Sequence, residues 1–106
     1  MEVIKVKAVS RTAGVAGAIA GVIREKKYAE VQAIGAGAVN QAVKALVLAK
    51  NFLEQDGIEV VFKPEFVNVD IDDKVRTAIK FIVEPRVAGG VAAPADEPAD
   101  EPSEPS

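Results

Sequence analysis

The sequence contains no cysteine, no histidine and no tryptophan. Without Cys there is no disulfide and no thiolate nucleophile, and without His there is no imidazole base. The common zinc sites are excluded with them. Catalysis would have to rest on carboxylates, Lys, Ser/Thr or the single Tyr28, which weighs against an enzyme. The expectation is a chain with no catalytic residues, no cofactor and no metal. Aromatics are scarce: Tyr28, Phe52, Phe62, Phe66 and Phe81. Hydrophobic residues make up 49% of the chain, enough for a core, but that core must be aliphatic. No apolar run approaches the roughly 20 residues of a membrane span. The opening MEVIKVKAV is charged and too short for a signal peptide. These features predict a cytoplasmic protein without membrane contact.

Positive charge is missing from the end of the chain. All 13 Lys and Arg lie at or before Arg86, whereas five of the 16 acids lie beyond it. Thirteen cations against eleven acids leave residues 1–86 at +2, and residues 87–106 carry −5. A nearly neutral body is not a strong nucleic-acid binder by charge alone. The last segment, VAGGVAAPADEPADEPSEPS, has no large apolar residue beyond Val and repeats Ala-Asp-Glu-Pro twice. It predicts one domain over 1–86 followed by a disordered acidic Pro/Ala-rich tail over 87–106. Such a tail is either a solubilising appendage or an anion that competes with nucleic acid for a basic face.

The chain is organised around Ala33 to Leu53, an apolar run broken by Gly-Ala-Gly and resumed at helical spacing. Val39, Val43, Leu46 and Leu53, with Ala42 and Ala49, form one apolar helix face, and Asn40, Lys44, Asn51 and Gln55 form the other. Tyr28 to Ile34 reads as the strand before it, making half of a βαβ crossover. Gly35 and Gly37 admit two readings, a phosphate cradle at a helix N-terminus or a tight turn with close packing. The full dinucleotide fingerprint and the phosphate-loop Lys-Ser/Thr pair are both missing.

Met1 to Val9 alternates charge and aliphatics and reads as a strand, with Val3, Lys5, Lys7 and Val9 on one face and Ile4, Val6 and Ala8 on the other. Ser10 or Thr12 offers a hydroxyl cap to a helix over Ala13 to Lys27. Gly17 and Gly21 open a groove along that helix. It seats the helix on its own sheet or on the second helix, or else it forms a contact between subunits. Gly57 is the expected left-handed stop of the second helix. Ile58 to Val69 is a strand that Pro64 confines to a sheet edge or bends. Asp70 to Lys74 is a turn; its acids could hold a hard cation, but the calcium-loop spacing is absent. Val75 to Glu84 is a strand with Val75, Thr77, Ile79, Phe81 and Val83 toward the core. Lys63, Arg76 and Lys80 share the outer side of this hairpin, the best basic surface in the sequence.

The order is therefore strand, helix, strand, helix, strand, strand: an α+β two-layer fold with both helices on one face of a four-stranded mixed sheet. MEVIKVKAVS, VAGAIAGVIRE, AEVQAIGAGAVNQAVKALVLAK and RTAIKFIVEPR resemble the stage V sporulation protein S family from Met1 to Arg86. That resemblance implies the Alba-like fold, shared with archaeal chromatin proteins that bind DNA and RNA, commonly as dimers. In such binders the loop after the first strand contacts phosphates and the last hairpin reaches along the duplex. Here Arg11 and Thr12 occupy the loop where a Lys pair is typical, and Gly35, Gly37 and Gln41 stand where arginines are common.

The resemblance implies a role in developmental regulation during sporulation. Two functions are open. One is a nucleic-acid-binding regulator in which Arg11, Lys44, Lys63, Arg76 and Lys80 meet phosphates while Asn40 and Gln41 hydrogen-bond backbone or base. So few cations predict weak, steeply salt-dependent binding. The other is a self-associating scaffold or adaptor, a dimer or tetramer, that does not touch nucleic acid directly.

Overall fold

The computed structural model describes residues 3–86. It contains β1 (Val3–Val6), α1 (Thr12–Lys26), β2 (Ala29–Ala33), α2 (Ala36–Glu54), β3 (Val60–Ile71) and β4 (Lys74–Pro85). The acidic segment expected to be a tail lies outside the described residues. The sheet order is β1-β2-β4-β3, with β1 parallel to β2 and β4 antiparallel to both β2 and β3. It follows that β2 and β3 run parallel, with β4 inserted between them. Each helix is thus a crossover between parallel strands, and both crossovers step across the sheet in the same direction. Because such crossovers share one hand, both helices land on one face. This is the two-layer α+β order read from the sequence pattern, and it agrees with the Alba-like fold that the resemblance implies.

The core lies between that face and the helices. Val6, Ala29, Val31, Ala33, Phe81 and Val83 from the sheet meet Ala16, Ile19, Ala20 and Ile23 of α1. From α2 come Ala38, Ala42, Ala45, Leu46, Ala49 and Leu53. The expected apolar face of α2 is therefore rotated. Val43 points outward, 45% exposed, beside Val47, while the small Ala38 and Ala45 point inward. Alanine brings the α2 backbone close to the sheet, and a larger residue would not fit between them at interior packing density.

The strand β1 is shorter than its sequence pattern. Its ladder ends where β2 ends, at the Val6–Ala33 pair. The chain then folds on itself: Ser10 N–H donates to Lys7 O at 2.9 Å, and Lys7 N–H donates to Ser10 Oγ at 2.8 Å. The Ser10 hydroxyl is thereby committed to the turn, and no side chain caps α1, whose N-cap is Arg11. Val9, expected in the strand, is 86% exposed. At the other end of α1, Lys27 is the left-handed C-cap, with φ 63°. Gly57 takes the left-handed conformation expected of it, φ 75°, and Ile58 N–H closes the turn onto Leu53 O.

The glycines of α1 do not seat the helix against the sheet or against α2, as one reading held. Gly14, Gly17 and Gly21 are exposed, and a Cβ built on any of them meets nothing within 4 Å. The helix–helix packing is made instead by Ala16, Ile19, Ala20 and Ile23 on the opposite side. Pro64 sits in an edge strand, where its missing N–H costs no ladder bond.

The β3–β4 hairpin outruns the rest of the sheet. Its pairing continues to Ile71–Lys74, whereas β2 reaches only as far as Ile79. Val75 and Thr77, expected in the core, lie beyond the helices and are exposed. Asp72 and Asp73 form the two-residue turn, both at positive φ (51° and 64°), the geometry that matches strand twist in a tight hairpin.

Candidate nucleic-acid interface

Parallel strands followed by crossover helices bring several features to one end of the molecule. β1 and β2 finish side by side, so α1 and α2 begin side by side. The hairpin arm leaves the sheet at this same end, past the Ala33–Ile79 pair. The first intrahelical bonds run from Val15 N–H to Arg11 O and from Val39 N–H to Gly35 O. The preceding N–H groups of each helix are left without a side-chain cap, and neither first turn contains an acid. Both positive dipole ends are therefore uncompensated by carboxylates, and such ends attract anions.

Close packing holds this end together. A Cβ at Gly37 would stand 3.0 Å from Ala8 Cβ, so the first turn of α2 abuts the loop after β1. Gly35 turns the chain at φ 91°, which only glycine adopts at low cost. The turn-and-packing reading of these two glycines thus has a physical reason at each position. Gln41 Nε2 donates to Ser10 O at 2.7 Å and ties α2 to the residue before Arg11.

The seven candidate residues fall into two groups. Arg11, Asn40, Gln41 and Lys44 lie on the helix side, Arg11 at the start of α1, Asn40 and Gln41 in the second turn of α2 and Lys44 a turn further along. Arg11, Asn40 and Lys44 are exposed, and Gln41 is half-buried with its amide committed to Ser10. Lys63, Arg76 and Lys80 lie on the sheet face turned away from the helices, as their alternation in the hairpin predicts. Their electrostatic states differ. Lys63 pairs with Glu84 at 3.3 Å, and Lys80, only 23% exposed at its side chain, faces Glu30 at 3.9 Å. Glu30 also accepts from Tyr28 OH at 2.7 Å. This hydrogen bond, helped by burial and by the surrounding carboxylates, pushes the Tyr28 hydroxyl up to about 12. A phosphate approaching Lys63 or Lys80 would have to displace a carboxylate. Arg11, Lys44 and Arg76 have no ion pair among the described residues.

Sequence reasoning passed over three cations. Lys5, Lys7 and Lys74 are exposed and unpaired among the described residues, and each stands at this end of the fold. Their unmatched charge was visible in the alternation of β1 and in the turn after Asp73, but their neighbourhood depends on how the hairpin is placed. No described helix is long and apolar enough to cross a membrane. Residues 2–86 match the family model described as Stage V sporulation protein S (SpoVS). The match spans most of the chain, so the chain belongs to the SpoVS family of small sporulation-related proteins.

Proposed function

We propose that the protein is a non-enzymatic regulator in sporulation that binds nucleic acid through the end where its two helices begin. The supporting observation is that two uncapped, acid-free helix N-termini and the unpaired Arg11 share one end of the molecule, with the unpaired Lys44 further along α2 and the unpaired Arg76 on the hairpin arm that leaves the sheet at that end. Backbone N–H groups and these cations suit phosphate oxygens. Asn40, exposed one turn before Lys44, adds an amide for backbone or base. Gln41 acts as a positioning residue for the Arg11 loop. Lys63 and Lys80 contribute less, because each already has a carboxylate partner. Few phosphates are neutralised, so binding is weak and its salt dependence is shallower than the steep fall expected from the sequence.

Fluorescence anisotropy against single- and double-stranded DNA and RNA, from about 50 to 200 mM salt, tests this reading. It predicts measurable binding at the low end with a small negative slope in log K against log salt. Absence of binding to all four ligands at about 50 mM salt overturns it.

A second reading has its own observation. Gly14, Gly17 and Gly21 of α1 and Val43 and Val47 of α2 all face outward from the helix layer. A surface of glycine and valine is poor in groups that water solvates well, which favours self-association as a dimer or tetramer. Light scattering at high protein concentration decides it, and a monomer there removes the scaffold role. The two readings are compatible, because two copies would double the number of phosphates reached.

A further inference from the structure

The sheet face turned away from the helices carries a groove of about 440 Å³ at the hairpin end. Its walls are Val3 and Ile34 on one side and Val69 and Ile71 of the hairpin on the other. Lys5 and Lys7 stand along it with Gln32, and Asp70 is the one acid in its lining. Two more cations flank it. Arg76 and Lys74 are the cross-strand partners of Val69 and Ile71 and share their face of the hairpin. None of these four cations has an ion pair among the described residues. The result is an apolar trough with four unmatched positive charges around it, set in a body of nearly neutral net charge.

We propose that this groove is the docking site for the chain's own acidic segment, residues 96–104. Three observations support that occupant. The first is charge: Asp96, Glu97, Asp100, Glu101 and Glu104 are five acids with no cation among them, and all follow Arg86. The second is reach. Arg86 N–H donates to Glu59 O at 2.7 Å, which fixes where the chain leaves the sheet. Arg76 lies ten positions back along β4, about 33 Å away at strand rise. Asp96 lies ten positions forward, and an extended chain of that length spans up to about 35 Å. The first acid can therefore reach Arg76, and the later ones reach Lys5 and Lys7 with slack. The third is composition: Ala95 and Ala99 alternate with the acid pairs, small apolar groups that suit the Val and Ile walls. Pro94, Pro98 and Pro102 lack an N–H, so the contact is made by side-chain charge and apolar surface and not by strand addition.

The contact is electrostatic and exposed, so salt removes it. It also places the acidic segment beside Arg76, one of the cations assigned above to nucleic acid. The docking does not depend on that assignment, because it is read within one molecule and without any oligonucleotide.

The absence of cysteine makes the test direct. A single Ser103→Cys substitution carries a nitroxide in the otherwise intact full chain, and paramagnetic broadening of amide signals reports what the label approaches. The expected result is strong broadening at Lys5, Lys7, Gln32 and Val69, with Gly17 and Gly21 on the outer helix face unaffected. Lys5→Gln with Lys7→Gln in the same chain removes most of that broadening, as does about 1 M salt, where screening is nearly complete within 3 Å. A mixed sample, spin-labelled chains with isotope-labelled chains lacking the label, shows no broadening. Uniform or absent broadening in the full chain overturns the proposal, as does broadening that survives both lysine substitutions. Broadening of equal strength in the mixed sample also overturns it, and assigns the groove to the tail of another copy. If oligonucleotide binding fails while the broadening is found, the docking stands and the nucleic-acid reading falls.

Discussion

Gln41 reaches across 31 residues of sequence to place its amide nitrogen 2.7 Å from the Ser10 carbonyl oxygen. This one bond joins the first turns of α2 to the loop that presents Arg11. It is half-buried, so removing it leaves a carbonyl that water reaches only in part. Gln41→Ala should cost about 1 kcal/mol of stability, read as a lower midpoint in urea denaturation. It should also weaken oligonucleotide binding beyond what that stability loss explains, because the Arg11 loop loses its strut. Unchanged binding would assign Gln41 a purely structural role.

The cations should separate by their partners. Arg11→Gln and Arg76→Gln should each weaken binding and reduce the salt slope by about 1. Lys63→Gln and Lys80→Gln should have smaller effects, since Glu84 and Glu30 already hold those ammonium groups at 3.3 and 3.9 Å. Parallel anisotropy titrations at several salt concentrations check this. Equal effects at all four positions would mean that the carboxylates move aside at no cost.

Two glycines should respond oppositely to alanine. At Gly17 nothing lies within 4 Å of the new methyl, and the position is inside a helix. Gly17→Ala should stabilise the fold by about 0.5–1 kcal/mol. At Gly37 the methyl would stand 3.0 Å from Ala8 Cβ, where the helix start and the β1–α1 loop are packed together. Gly37→Ala should therefore destabilise, by about 1–3 kcal/mol. Thermal unfolding of the two variants gives the signs. If Gly17→Ala breaks a dimer instead, a loss of apparent stability that depends on protein concentration will reveal it.

Parts of this arrangement were legible in the sequence and parts were not, for physical reasons. The hairpin was readable because β residues alternate strictly and Pro64 can sit only where no partner needs its N–H. The side of α2 that faces the sheet was not. Periodicity scores large aliphatics, and here Val43 and Val47 point outward while alanines pack inward. Glycines carry no side chain to mark a direction, so Gly17 and Gly21 could not reveal that they face solvent. The extent of β1 depended on a partner strand, β2, that stops at Ala33. Of the candidate site, the residues were identifiable by charge and position. Their division between two faces, and the pairing of Lys63 and Lys80, follow from cross-strand register that no single segment encodes. The groove beside Lys5 and Lys7 requires the hairpin to lie next to β1, a relation between residues more than sixty positions apart.

The Tyr28–Glu30 hydrogen bond gives a pH signature. Because it favours the protonated phenol, the folded-state value is raised from 10.0 to about 12. The stabilisation is therefore fully present below pH 10 and is lost as pH rises from 10 toward 12. Absorbance of the tyrosinate, unobscured because the chain has one Tyr and no Trp, should titrate well above 10 in the native protein. Glu30→Gln should bring the midpoint down toward the ordinary phenol value. A native midpoint near 10 would mean that the bond is absent in solution.

Amide chemical-shift mapping of the full chain with a short oligonucleotide at about 50 mM salt tests the central claim most directly. The account predicts the largest shifts at Arg11 and Thr12, at Asn40 to Lys44 and at Arg76, with the opposite end around Gly57 and Arg86 unmoved. Shifts centred on Gly57 and Arg86, or none with either DNA or RNA, would contradict it.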